Sequence, residues 1–433
     1  MSPASLLPIL LLAASARLAS AATAQVFEPP SKGPLVQTAN YTSFSNSTLN
    51  DKKVVKGHAF NRIIHIWLEN TDFATTASTP IFESLAEQGL LLTNYNGVTH
   101  PSEPNYLAAT GGDFWGLHDD FMYHVPANIS CVVDLLEDKG ISWATYQENM
   151  PADEFYGFIS DAPNYAAPSS APYPYYVRKH NPLTIYDAVS QDAQRVKRIR
   201  TFNDFANDVV NGTLPQWNFV TPNMVNDAHD TTIDFAASFL EYWLLPLLSD
   251  PRVNSEETLI VLTFDEAETY TIQNNVWAVA LGGAVPLKLR GTTDSTFYTH
   301  YSSLSTIQAN WGLKSLGRQD TNATVSNVFS FVAEKTDYKN VHVTNPPNLN
   351  LTAIFPGPFN SGAYVPFSAP NLKAQGAGHG GVLTRSGLNP KLTAGSLPKP
   401  VNMTALDATS PWQMSPETTS GKKIIPCANA ACA

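Results

Sequence analysis

Short apolar runs alternate with amphipathic stretches through the middle of this chain. Five runs are rich in β-branched and aromatic residues and end in polar clusters: Arg62–Leu68 (RIIHIWL), Ile141–Tyr146, Trp217–Val220, Thr258–Phe264 (TLIVLTF) and Val276–Leu281. Their composition and length predict buried strands. Between them, Pro80–Glu87, Thr201–Val210 and Thr231–Leu248 carry helical spacing. The alternation predicts an α/β domain, with a mostly parallel central sheet flanked by helices.

The flanking segments read differently. The apolar run Leu6–Ala14 is too short for a bilayer, and small residues follow at Ala19, Ala21, Ala22 and Ala24. This predicts a cleaved signal peptide over residues 1–24, though without the usual basic start. The folded domain is expected over 25–340. Within it, Pro151–Pro174 is crowded with Pro, Tyr and Ala and reads as a surface excursion or lid. Tyr175, Tyr176, Arg178, Lys179 and His180 come next and could shape a substrate mouth; Arg178 and Lys179 read as an anion attractor or a solvated basic pair. Residues 341–433 fill with Pro, Asn, Gly and Ser and predict an irregular C-terminal extension that wraps the core. No later apolar run reaches the roughly 18–20 residues of a membrane span, so no membrane partner is expected.

Composition narrows the class. Of 433 residues, 43% are hydrophobic and 15% charged, which excludes a disordered chain. The net charge of −11 repels phosphate backbones and argues against a nucleic-acid partner. Three cysteines make no disulfide scaffold; Cys427 could pair with Cys432, or Cys131 with either. Sequons at Asn40, Asn46, Asn128, Asn211, Asn322, Asn350 and Asn402 join the leader in predicting a secreted, extracellular or wall-bound glycoprotein.

Ligands of an open parallel sheet bind beyond the carboxyl ends of its strands. Glu69-Asn70 follows the first predicted strand, Asp265-Glu266 the fourth, and the loop from Thr221 to Asp230, with Asp227 and His229, the third. Converging carboxylates and amides suit a hard divalent cation; added histidine suits zinc. The bland alternative is that these acids start loops and cap helices. Ser102, in His100-Pro101-Ser102-Glu103-Pro104-Asn105-Tyr106, reads as a helix cap with Pro104 in the first turn and Gly111-Gly112 at the end. A serine among free amides at a helix N-terminus can also meet an anion. No G-x-S-x-G elbow surrounds it, so activation would have to come from a metal. His300 precedes a short helix that Gly312 ends.

Taken in order, Glu69-Asn70, His100–Tyr106, Asn226-Asp227-Ala228-His229-Asp230, Phe264-Asp265-Glu266 and Thr299-His300-Tyr301-Ser302-Ser303-Leu304 resemble the phosphoesterase family of secreted fungal acid phosphatases and bacterial phospholipases C, within the alkaline-phosphatase-like superfamily. The resemblance runs from about Arg62 to Leu313. It implies an alkaline-phosphatase-like sandwich and a secreted acid phosphatase that splits phosphate monoesters through a phosphoserine with metal assistance. Ser102 looks like the nucleophile, and Glu69, Asn70, Asp265 and Glu266 like the metal shell around it. His229 and His300 look like the histidines facing phosphate, Asp230 like their orienting partner, and His100 and Asn105 like substrate-site residues. Many two-metal relatives carry Asp-His in place of Asp265-Glu266 and Asp in place of Asn223. The resemblance therefore implies one divalent ion of unnamed identity. A two-metal centre, with Asp227, His229 and His300 around the second ion, is the alternative. Histidines with pKa near ~6.5 carry charge in mild acid, which suits an acid optimum. A phosphodiesterase of the phospholipase C type and a non-catalytic secreted glycoprotein are the competing readings.

Overall fold

The longest apolar runs end up where both faces of a sheet are covered, in its middle. The computed structural model describes residues 49, 51, 53–155, 157–162, 164, 172–347, 349 and 355–385. At its centre is an eight-stranded sheet built from β1 (Arg62–Leu68), β2 (Leu90–Leu92), β3 (Trp143–Gln147), β4 (Ile199–Thr201), β5 (Trp217–Thr221), β6 (Thr258–Phe264), β7 (Ala278–Leu281) and β8 (Thr292–Asp294). The order is β8-β2-β7-β6-β1-β5-β3-β4. From β6 to β4 all neighbours are parallel; β7 is antiparallel to both of its neighbours. The architecture is therefore mixed α/β with a mostly parallel central sheet.

Alternation along β1 assigns the layers. His65 and Trp67 face the same side as Trp217 and Phe219 of β5, and against them pack α2 (Ser102–Gly111) and α5 (Tyr301–Trp311). The opposite side carries Phe264 and Tyr146. There, Phe82 of α1 (Pro80–Gln88) meets Phe264, and Phe205 of α3 (Phe202–Asn211) meets Tyr146. Helices thus cover both faces, as parallel strands require.

Two apolar runs behave differently from their sequence pattern. Val276–Leu281 splits at Trp277: Asn275–Val276 joins a three-stranded side sheet with Tyr95–Asn96 and Tyr298–Thr299, while β7 enters the main sheet antiparallel. Thr231–Leu248 forms α4 (Ile233–Phe239), then a wider π-type turn over Leu240–Leu244, then a last turn over Leu245–Leu248. Pro246 has no N–H to give and its ring crowds the carbonyl four residues back, which accounts for the widening before it.

Ile159–Ala162 and Tyr173–Val177 pair as an antiparallel ribbon within the Pro/Tyr-rich excursion, and a single tight turn, Arg178–His180, follows. Residues 355–385 run irregularly over the body. Phe359 and Phe367 are buried near Trp115, and Leu383 bonds to Ser315. At the crossing a side chain on Gly357 would place its Cβ 1.9 Å from the Trp115 carbonyl oxygen, so only glycine fits there. The expected signal peptide, Cys427, Cys432 and the sequons Asn40, Asn46, Asn350 and Asn402 lie outside the described residues. Cys131 is buried and has no disulfide partner among the described residues. Asn211 and Asn322 are exposed and Asn128 half-buried.

Candidate active site

Three adjacent strands, β6, β1 and β5, end at one edge of the sheet, so the residues that follow them meet. The Asn70 amide after β1 donates to Asp265 Oδ1 after β6 at 3.2 Å. The Glu69 amide donates to the Asp227 carbonyl, in the loop after β5, at 2.8 Å. Asn70 has φ +26° and Ala228, between Asp227 and His229, φ +82°. Asparagine tolerates the left-handed region; alanine does so at a cost that surrounding contacts must outweigh.

Ser102 is the first residue of α2 and is buried. Its hydroxyl donates to Glu69 Oε2 at 3.0 Å and lies 3.5 Å from Asn70 Oδ1. The local geometry corrects one sequence expectation. Pro101, not Ser102, holds the capping position, and the Glu103 amide is already bonded to Asp120 Oδ1 at 2.9 Å. This helix end is not an open row of amides; it is a mount that delivers one hydroxyl to a group of acids.

A second layer comes from the Arg178–His180 turn, which packs against α2. His180 bridges two carboxylates, with Nε2 3.0 Å from Glu69 Oε1 and Nδ1 3.3 Å from Asp227 Oδ2. Tyr106 donates its hydroxyl to the same Glu69 Oε1. Lys179 Nζ lies 3.0 Å from Asp120 Oδ2, 2.9 Å from His229 Nε2 and 3.5 Å from Ser102 Oγ. His229 Nδ1 is 2.7 Å from Asp230 Oδ1, and Tyr173 donates to Asp230 Oδ2.

Other expected residues settle nearby in different roles. His100 is stacked on Tyr270, with Nδ1 2.7 Å from Glu266 Oε2. Asn105 spends its amide on its own turn: Oδ1 accepts from the Val98 amide at 2.8 Å and Nδ2 donates to the Thr99 carbonyl at 2.9 Å. His300 is fully buried against Trp67, with ring centroids 4.3 Å apart. Its Nε2 meets the Asp265 carbonyl at 2.5 Å and its Nδ1 the Tyr95 hydroxyl at 3.3 Å. Both nitrogens are engaged behind the Asp265 backbone, so this arrangement does not bring His300 to the hydroxyl of Ser102. Lys179 and His180 were legible only as part of a mouth, Tyr106 only as the end of the His100–Tyr106 motif, Tyr173 only as part of the Pro- and Tyr-rich excursion, and Asp120 not at all. The available signal was three consecutive basic residues in a chain with few charges.

The phosphoesterase family model matches residues 67–314. The chain belongs to the phosphoesterase family. An acid phosphatase of Aspergillus fumigatus is 48% identical over 332 residues, covering 75% of this chain and 72% of that one. A phosphate-repressible acid phosphatase of Penicillium chrysogenum is 44% identical, covering 75% and 76%. A phosphatidylinositol-3-phosphatase of Mycobacterium tuberculosis is 29% identical, covering 55% and 72%. Among solved structures, a phosphonate monoester hydrolase of Agrobacterium radiobacter is similar at a TM-score of 0.38, with 12% identity over 60% of this chain and 75% of that one.

Electrostatics sort the acids of this candidate site. Burial raises the Glu69 carboxyl, but His180, Lys179 and His229 outweigh it and hold Glu69 below the usual range. Burial likewise lowers His180, yet Glu69 and Asp227 lift it to about 9. Burial, then the charge of Glu69, pushes Asp265 upward; burial and then Asp265 do the same to Glu266. Asp265 Oδ2 and Glu266 Oε1 are buried without a hydrogen-bond partner among the described residues. Buried acids raised by one another, with oxygens left over, are a donor set that fits a hard cation. Donor atoms of Glu69, His180 and His229 also lie within 4.8 Å of one another, a trio that could hold a metal ion.

Proposed function

We propose that this chain is a secreted acid phosphatase that hydrolyses phosphate monoesters through a phosphoserine on Ser102. The observation that carries this reading is the Ser102 hydroxyl, bonded to Glu69 Oε2 at 3.0 Å within a group of buried acids. The relatives named acid phosphatase support it through their identity and coverage. Glu69, Asn70 and Asp265, with the Ser102 oxygen, would hold one divalent cation. Glu266 has only Oε1 left to offer, since His100 takes Oε2. When bound, such an ion lowers the cost of an alkoxide on serine and offsets phosphoryl charge.

The chain's own groups account for the rest. Glu69 Oε2 accepts the Ser102 hydroxyl bond and so orients its oxygen toward phosphorus. As the Oγ–P bond forms and the ester P–O bond breaks, the serine proton passes to solvent and the leaving alcohol takes one from solvent. Water then attacks phosphorus and breaks the Oγ–P bond; phosphate leaves and Ser102 Oγ takes back a proton. His300 acts as a positioning residue through the Asp265 carbonyl, and Glu266 holds His100 in place. Secretion is supported by the leader sequence and by the exposure of Asn211 and Asn322. No helix among the described residues is long and apolar enough to cross a membrane.

The test is turnover of p-nitrophenyl phosphate beside p-nitrophenylphosphorylcholine, at acid pH with divalent metal. Wild type is expected to prefer the monoester, and Ser102→Ala to lose roughly 10⁴-fold or more in kcat. Preference for the diester would replace the reading with a phosphodiesterase. Ser102→Ala at near wild-type rate would remove Ser102 from the chemistry.

A further inference from the structure

Lys179 reaches the site from a tight turn outside the main sheet, and its side chain is only 11% exposed. An ammonium has three donors and no acceptor. One donor meets Asp120 Oδ2 at 3.0 Å and another meets His229 Nε2 at 2.9 Å. The remaining direction leads toward Ser102 Oγ, which at 3.5 Å is too far for a good bond.

His229 complements this arrangement. Nε2 must accept, because lysine can only donate. Nδ1–H then donates to Asp230 Oδ1 at 2.7 Å, so one tautomer satisfies both contacts. In this state the proton facing the nucleophile from that side belongs to Lys179, not to His229. Asp120 adds the anchoring: Oδ1 holds the Glu103 amide at 2.9 Å while Oδ2 holds the ammonium. The lysine is therefore registered against the same helical turn that carries Ser102.

We propose that Lys179 is a catalytic residue of this site, whose ammonium binds a phosphoryl oxygen of the ester and acts as the second cation of the centre. This rests on the phosphatase reading. A transferring phosphoryl group spreads charge over three equatorial oxygens, and the groups around Ser102 are already rich in carboxylates. A cation held by Glu69, Asn70 and Asp265 would offset charge on one side; Lys179 serves the side of His229. The lysine also explains why the Glu69, His180 and His229 trio does not need a second ion, because the chain's own ammonium already occupies His229 Nε2.

The test uses the full-length protein and three readings: kcat and KM on p-nitrophenyl phosphate, inhibition by inorganic phosphate and orthovanadate, and bound metal. Lys179→Gln is expected to lower kcat/KM by about 10²–10³-fold and to weaken phosphate inhibition about tenfold or more, with metal content unchanged. Lys179→Arg should restore part of both losses. Folded Lys179→Gln with phosphate inhibition within about twofold of wild type would overturn the proposal. If that variant does not fold, Lys179→Met takes the same readings. A wild-type vanadate complex decides without any variant: Nζ bonded to an equatorial oxygen supports the proposal, and Nζ still held by both Asp120 and His229 with no oxygen in reach overturns it. Inactive wild type would instead sink the phosphatase reading itself, which keeps the two failures distinct.

Discussion

Glu148 illustrates how a single buried acid prepares this site. It follows β3 and accepts bonds from the Asn223 amide at 2.9 Å and from Asn226 Nδ2 at 3.0 Å on each oxygen. It thereby holds the loop that leads to Asp227 and His229. Burial pushes its carboxyl up to about 7, against the lowering effect of those bonds. A carboxyl raised in the folded state contributes stability in full below its unfolded value and loses it as pH rises through the folded one. Its contribution is therefore present near pH 4.5 and gone above about 7. His180, raised to about 9, shifts stability the same way at higher pH. Glu148→Gln should flatten the fall in unfolding free energy between pH 4.5 and 7.5 by roughly 1–3 kcal/mol, as measured by urea denaturation of both proteins at the two pH values. An identical fall in wild type and variant would show that Glu148 does not contribute it.

At the level of elements, the site follows from strand adjacency. β1 and β6 pair in register to their last residues, Leu68 with Phe264, so Glu69 and Asp265 emerge side by side. That convergence was legible, because both strands are uniform apolar runs whose ends are marked by acids. The direction of β7 was not, since an apolar run looks the same in either sense. The places of Lys179 and His180 depend on a Pro- and Tyr-rich ribbon with no periodicity to read. His300 was correctly placed before its helix, but whether its ring turns toward Ser102 or behind Asp265 depends on packing against Trp67. If the strand ends form the cation site, Glu69→Gln and Asp265→Asn should each reduce bound divalent metal by elemental analysis and cut turnover about 10²-fold or more. His300→Gln should leave the metal largely in place. Full metal occupancy in both acid variants would contradict the assignment.

Across the whole molecule, the chemistry requires parts of the chain that are distant in sequence. The proposed nucleophile, Ser102, comes from α2, the acids around it from two strand ends, Lys179 from the ribbon turn, and the backing histidine, His300, from the start of α5. The 355–385 segment closes over the far side, where Gly357 lets its backbone touch Trp115. The net charge of −11 keeps the surface unattractive to anions in general, so phosphate specificity has to be local, concentrated where cations sit among carboxylates. The account stands on Ser102 taking the phosphoryl group. Rapid acid quenching of enzyme turning over a radiolabelled monoester, followed by peptide mapping, tests this most directly. The account predicts covalent label on the peptide of α2, at Ser102, and none in Ser102→Ala. Label on another residue, such as His229, would contradict it.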